Sequence, residues 1–289
     1  MKKILFISII LFLGATFLFA MGYGERVKEL DRFDKLEVHT SGQLSVREGR
    51  GYQLEIQGPV ENINKIRTEV RDGTLHINLK TWYGRIRNVS YILTVPNLVT
   101  VRTSSSCDID VPEMHGDILE VVTSSSGDIT VGKMKSEDLD VETTSSGNIS
   151  LGQVETLHGW VGTSSSGDIF INHFSAYDPI LKLSSSGNLT IAEVVTASLR
   201  TEISSSGDCN LESGNLGILD LKISSSGEFL AENPVCGEAD VVISSSGKAA
   251  IRTDGLLNAR LSSSGDLFVE GAPRLGRIVT SSSGSVHTR

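Results

Sequence analysis

The residues that could do chemistry come in one recurring set: three serines, a glycine, and an acid or amide. Thr123-Ser124-Ser125-Ser126-Gly127-Asp128-Ile129 is one copy. Its glycine returns at Gly147, Gly167, Gly187, Gly207, Gly227 and Gly247, twenty residues apart, and Gly265 and Gly284 follow at intervals of 18 and 19. Cys107 takes the glycine's place in the copy before, Thr103-Ser104-Ser105-Ser106-Cys107-Asp108-Ile109. A serine beside an aspartate suggests acyl transfer, but a serine nucleophile needs a base and a group that orients it. His39, His76, His115, His158, His173 and His287 fall at unrelated phases of the repeat. A motif repeated this often without a base does not meet the criteria for a triad.

The acid position runs Asp108, Asp128, Asn148, Asp168, Asn188, Asp208, Glu228, Lys248, Asp266 and Ser285. Stacked carboxylates on adjacent coils would repel by about 1 kcal/mol per pair in water. The amides and Lys248 dilute that repulsion. Calcium could relieve it through oxygen ligands from neighbouring coils, yet the Gly-Gly-x-Gly-x-Asp calcium pattern is absent. Backbone hydrogen bonding at a bend is the commoner use of Asp and Asn. The sequence thus assigns no catalytic residue, no metal ligand and no cofactor, and calcium is the one ion this column would suit.

These residues must be positioned by a stack of short units, since a fixed twenty-residue period marks a quasi-one-dimensional fold. Leu119, Val121, Thr123, Ser125, Gly127, Ile129 and Val131 share a parity; so do Leu219, Leu221, Ile223, Ser225, Gly227, Phe229 and Ala231. Residues of one parity point to one face of a strand. An even period keeps each column on its face from coil to coil. The aliphatic columns therefore face in, and Glu120, Asp140, Glu142, Glu202 and Lys222 face out. Helix-period apolar runs are missing, and a propeller blade needs about twice this length. The pattern predicts an all-β chain, a single-stranded parallel β-helix (solenoid) of about ten coils. Each coil would be a strand, a Ser-Ser-Ser-Gly bend, a strand and a variable return. At about 4.8 Å per coil the rod would be roughly 45–50 Å long.

Within the bend, glycine offers freedom to take positive φ. The middle serine (Ser125, Ser165, Ser185, Ser205, Ser225, Ser245) is expected to face in and bond its counterpart on the next coil. The flanking serines are expected to face out. Ser124, Ser126, Ser164, Ser166, Ser204 and Ser206, with Asp128, Asp168 and Asp208, form the candidate binding surface.

Residues 1–22 read as an export signal: Lys2-Lys3, an apolar run of 17 residues from Ile4 to Ala20, and a small-x-small site at Ala20-Met21-Gly22. The competing reading is an anchor helix at the lower edge of spanning length. No second apolar span follows, so the chain is expected in the periplasm, on the outer membrane face or at the cell surface. Residues 23–102 leave the twenty-residue register and read as an entry or cap module continuous with the repeat of 103–289. Leu36, Val38, Thr40, Gly42, Leu44 and Val46 form a shortened copy of the repeat, and Leu54/Ile56, Leu75/Ile77/Leu79 and Tyr91/Leu93/Val95 mark further strands. Residues 61–70 read as a short helix or another strand. Trp82, Tyr83 and Arg85 stand in the densest aromatic and basic stretch and form a second candidate contact. The last copy ends near Arg289, and an open edge strand would invite pairing with a second copy.

Net charge is −9 with no sustained basic stretch, which excludes the electrostatic footprint of nucleic-acid binding. Cys107, Cys209 and Cys236 are an odd set with no paired framework. They read as small buried or corner residues.

Thr-Ser-Ser-Ser-Gly-Asp-Ile, repeated down such a chain, resembles a β-strand-repeat family labelled as auto-transporter adhesin head (GIN) domains. The entry module carries the same likeness through Phe33-Asp34-Lys35-Leu36-Glu37-Val38, Ser41-Gly42, Asp72-Gly73-Thr74-Leu75-His76-Ile77 and Val95-Pro96-Asn97-Leu98. It covers about residues 31–289. Cys107, Thr144 in place of the first serine, and the shorter final coils depart from the pattern. The resemblance implies a non-enzymatic, adhesin-like or envelope-interaction protein whose partner is a surface glycan or protein, and it supplies no catalytic residues. A polysaccharide-active β-helix enzyme and an ice-binding or purely structural envelope protein are the alternatives.

Overall fold

The computed structural model describes residues 22–81 and 86–289. The expected signal segment, apart from Gly22, lies outside the described residues, and so do Trp82, Tyr83 and Arg85. The entry module contains β1 (Tyr23–Glu29), β2 (Lys35–Val38), β3 (Gly42–Glu48), β4 (Gln53–Pro59), the one-turn helix α1 (Val60–Ile63), β5 (Ile66–Arg71), β6 (Thr74–Leu79) and β7 (Ser90–Val95). The 61–70 stretch is therefore the end of a helical turn and then a strand. The repeat begins with β8 (Thr100–Thr103), β9 (Cys107–His115), β10 (Ile118–Thr123), β11 (Ile129–Lys135), β12 (Asp138–Thr143), β13 (Ile149–Thr156), β14 (His158–Thr163), β15 (Ile169–Ala176) and β16 (Ile180–Leu183). It continues with β17 (Leu189–Ile203), β18 (Cys209–Leu211), β19 (Gly214–Ile223), β20 (Glu228–Ile243), β21 (Lys248–Leu261), β22 (Asp266–Glu270), β23 (Arg274–Thr280) and β24 (Ser285–Thr288).

Repeat strands pair in parallel with the strand one coil away, and the offset is twenty residues: Leu119 faces Leu139, Ile129 faces Ile149, and Leu219 faces Ala239. The result is a parallel β-solenoid of about nine turns. The inward columns are fully buried, as at Leu119, Val121, Ile129 and Val131. Inward parity breaks at Gly132, after which Met134 points in. Each coil thus has a second bend beyond the serine bend, followed by a third short strand segment. Met114, Met134, Val154, Phe174 and Val194 stack there through direct register.

The entry module is threaded out of sequence order. β2 lies between β6 and β8, and β3 between β7 and β9, all parallel. β2 and β3 are therefore the first coil, and Gly42 sits under Cys107 as the shortened repeat predicts. β6 and β7 form a coil beneath it, flanked by antiparallel β5 on β6, β4 on β7 and β1 on β4. The Arg26 guanidinium donates to the Ile63 and Ile66 carbonyls, which ties β1 across α1 into β5. Polar antiparallel strands and a helical turn cover an end that would otherwise expose a parallel edge.

The serine bend corrects two expectations. Gly42 of the shortened copy has positive φ, but none of the motif glycines from Gly127 to Gly284 does. Glycine is required by close approach instead: a Cβ on Gly147 would lie 2.6 Å from Thr123 Oγ1 and closer still to the Gly127 carbonyl oxygen. Cys107 escapes this because the residue beneath it is Gly42 of the differently routed first coil, and the cysteine side chain is fully buried. The middle serine, Ser125 and its equivalents, is half-buried. No serine-to-serine ladder forms among the described residues. The bend turns the middle serine out of the core, and the buried hydroxyl belongs to the threonine before the motif. Thr123 Oγ1 donates to the Gly127 carbonyl at 2.7 Å, and Thr143 Oγ1 to Gly147 at 2.7 Å.

Candidate binding surface

Ser124, Ser126, Ser164, Ser166, Ser204 and Ser206 are exposed along one edge of the rod, with Asp128, Asp168 and Asp208 beside them. Their polar groups are partly committed. Ser124 Oγ donates to the Thr103 carbonyl at 3.4 Å, and Ser184 and Ser204 make the same bond to Thr163 and Leu183. The acid column is more fully engaged. Asp108 Oδ1 accepts from the Asp128 amide at 3.1 Å, Asp128 Oδ1 from Asn148 at 2.7 Å, and Asn148 Oδ1 from Asp168 at 2.9 Å. Asp168, Asn188 and Asp208 continue the series onto Asn188, Asp208 and Glu228. Each side chain satisfies a backbone N–H one coil up, which is why Asp and Asn interchange here: both offer an Oδ1 acceptor. From Lys248 onward the amide bonds the preceding coil's glycine carbonyl instead, Lys248 to Gly227 and Asp266 to Gly247. The ladder ends where the side chain no longer needs to be an acceptor.

A second surface comes from the outward columns of β10, β12, β14, β16 and their successors. One column runs Glu120, Asp140, Trp160, Ile180, Arg200, Asp220 and Asp240 by direct register. The next runs Arg102, Val122, Glu142, Gly162, Lys182, Glu202 and Lys222. The Trp160 indole lies across Gly162, since a Cβ there would sit 2.8 Å from Trp160 Cζ2. Trp160 therefore presents a ring held along the sheet. Partial burial, then Glu120 and Glu142, push the Asp140 carboxyl up, and Arg102 offsets this only in part. Arg102 is engaged by Glu120, and Arg200 Nε donates to Asp220 at 3.1 Å. The sequence placed Glu120, Asp140 and Glu142 outside but did not single out Trp160. Its signal was available: it shares the outward phase of Asp140, one period later.

At a neighbouring edge His158 meets Asp178, and hydrogen bonding to that carboxylate raises the imidazole pKa above its ordinary value. The three cysteines are buried and unpaired. Burial pushes the Cys107 thiol up to about 12 and Cys236 up to about 11, and Cys209 is likewise raised. Thiols held this far from ionisation are poor nucleophiles and metal ligands.

One further group was not legible as a site. Glu37, His39 and His76 bring their ligand atoms within 4.8 Å of one another, the one such cluster among the described residues. Glu37 and His39 share a strand face by spacing, but His76 reaches them only because β6 pairs with β2.

The model of the family described as "Putative auto-transporter adhesin, head GIN domain" matches residues 32–169 and again 159–273. The chain belongs to this family. The GIN-domain reading of the sequence is thus borne out, and the two overlapping matches reflect a repeat that fits one model at two places. Among solved structures, a "Putative lipid binding protein" from Parabacteroides distasonis is similar at 18% identity, covering 93% of this chain and 97% of its own, with a TM-score of 0.52. A "putative adhesin" from Bacteroides fragilis shares 15% identity over 92% of this chain and 97% of its own, with a TM-score of 0.50. Another "putative adhesin", from Parabacteroides merdae, shares 16% over 92% and 96%, with a TM-score of 0.51. At these identities the likeness is one of fold. No curated protein matches the chain. No helix among the described residues is long and apolar enough to cross a membrane.

Proposed function

We propose that this GIN-domain protein is an exported, non-enzymatic, adhesin-like rod that meets a surface glycan or protein through repeated weak contacts. One observation carries the reading. The recurrent Ser-Asp pair, the feature most suggestive of catalysis, spends its polar atoms on joining coil to coil. What remains outward is periodic: serine hydroxyls along one edge, and a face of mixed charge around Trp160. Repeated sites on a rigid support gain strength by multivalency without any single strong contact. The family and the fold neighbours named as adhesins support the same class. An ice-binding face would want its hydroxyls on a flat sheet, whereas these flank a bend.

The test is retention of the purified protein on envelope polysaccharide, host matrix and intact cells. Wild-type retention that falls about tenfold or more in Trp160→Ala, or in a Ser124/Ser126/Ser164/Ser166 alanine variant, would identify the contacting surface. Absence of retention on all three supports would end the proposal. A polysaccharide-active enzyme is the second reading, favoured by the carboxylates of Glu120, Asp140 and Glu142 gathered beside Trp160. It calls for new reducing ends from a bound polysaccharide, lost in Asp140→Asn. Such release would overturn the non-enzymatic assignment.

A further inference from the structure

We propose that Glu37, His39 and His76 form a site for one divalent transition-metal ion of the zinc class, and that this ion pins β6 to β2 within the entry module. Glu37 Oε2 lies 3.5 Å from His39 Nε2 and 3.2 Å from His76 Nδ1. Zinc–ligand bonds of about 2.0–2.1 Å at tetrahedral angles place adjacent ligand atoms about 3.3–3.4 Å apart. The carboxylate already holds that spacing to each imidazole, and all three ligand atoms lie within 4.8 Å of one another. Two imidazoles and one carboxylate suit zinc, whereas calcium and magnesium want oxygen-only shells. Three protein ligands leave a fourth position open to water or to a ligand from a partner.

The supporting contacts are built into three successive coils. Glu37 and His76 are direct register neighbours on β2 and β6. The His39 amide donates to the Ile77 carbonyl at 2.8 Å, which fixes the backbone carrying the second imidazole. His39 Nδ1 hydrogen-bonds Ser104 Oγ, and the Ser104 amide is itself held by the Val38 carbonyl at 3.1 Å. In the tautomer that donates Nδ1–H to Ser104, Nε2 turns a lone pair toward the Glu37 carboxylate, and a cation between them completes that arrangement. Outer hydrogen bonds of this kind set the tautomer of metal-bound histidines. The His39 and His76 rings lie nearly parallel, 12° apart, with centroids 6.4 Å apart, so the two imidazoles stand side by side without a clash. Arg102, the neighbour of Glu37 on the other side, is drawn off to Glu120.

The site does not depend on what the outward faces bind. Chelator-stripped full-length protein is titrated with zinc by calorimetry, and its thermal midpoint is followed with and without zinc. One zinc per chain and a raised midpoint are expected. Glu37→Gln and His76→Gln should each weaken binding at least tenfold and remove the midpoint shift. Ser104→Ala leaves all three ligands in place and should weaken affinity about tenfold through the lost outer bond. His158→Gln, at a distant exposed histidine, should leave stoichiometry and shift unchanged. Zinc binding that survives in a His39→Gln/His76→Gln variant, or a midpoint indifferent to zinc in the wild type, would overturn the site.

Discussion

Thr201 stands in an otherwise aliphatic inward column, between Leu181 and Leu221. Its hydroxyl is buried and has no hydrogen-bond partner, the one such side-chain atom among the described residues. Thr123 and Thr143 are equally buried, but each finds a glycine carbonyl four residues on. The phase decides: those threonines precede the serine bend, whereas Thr201 sits two residues earlier along its strand. An orphaned buried hydroxyl costs about 1–3 kcal/mol, so Thr201→Val should stabilise the protein by about 1 kcal/mol or more. Urea unfolding of the two proteins measures this, and a lower midpoint for the valine variant would contradict it. At this scale the sequence was informative about parity and misleading about causes. It showed which residues face in. It could not show that Gly147 is glycine because another carbonyl lies against it, since that requires knowing how closely two bends stack.

The acid column behaves as a structural element although no two of its members are adjacent in sequence. Each Asp or Asn from Asp108 to Asp208 accepts the amide of the next coil. Asp128→Ala removes the acceptor for Asn148 and should cost about 0.5–1.5 kcal/mol. Asp128→Asn keeps an Oδ1 acceptor and should cost little. Hydrogen exchange at the Asn148 amide reads the bond directly: about tenfold faster exchange is expected in the alanine variant and near-wild-type exchange in the asparagine variant. Equal exchange in all three proteins would remove the ladder from the account of stability. Twenty-residue periodicity made the coils legible because the period is even and the columns are chemically uniform. The second bend at Gly132 was hidden in the variable return, where Pro112, Gly132, Gly152 and Asn172 share a phase but not a chemistry.

Along the whole molecule the two ends are built differently. The entry end closes with antiparallel strands and α1. At the other end, among the described residues, β23 pairs with β21 alone and β24 with β22 alone, and Leu275 is 57% exposed. An unpaired parallel edge with apolar side chains is a template for another strand. Concentration-dependent association is therefore expected in sedimentation, reduced by Leu275→Lys and Val286→Pro. A strict monomer at high concentration would remove self-pairing through this edge. The solenoid itself was legible from composition, period and parity. The threading of β2 between β6 and β8 was not, because strand patterns give which residues alternate and leave open which strand lies beside which. The Glu37–His39–His76 cluster shares that fate: its three members are unremarkable until β6 is placed under β2.

That threading also makes the rod mechanically one-sided. Under a pull at the far end, β24 and β23 each part from a single neighbour, and the coils unzip in turn under modest load. A pull at the near end peels β1 from β4 and then meets β2 and β3, each gripped on both edges. Extracting either one means rupturing two ladders at once. A protein of this design sustains tension best when it is held by its first coil.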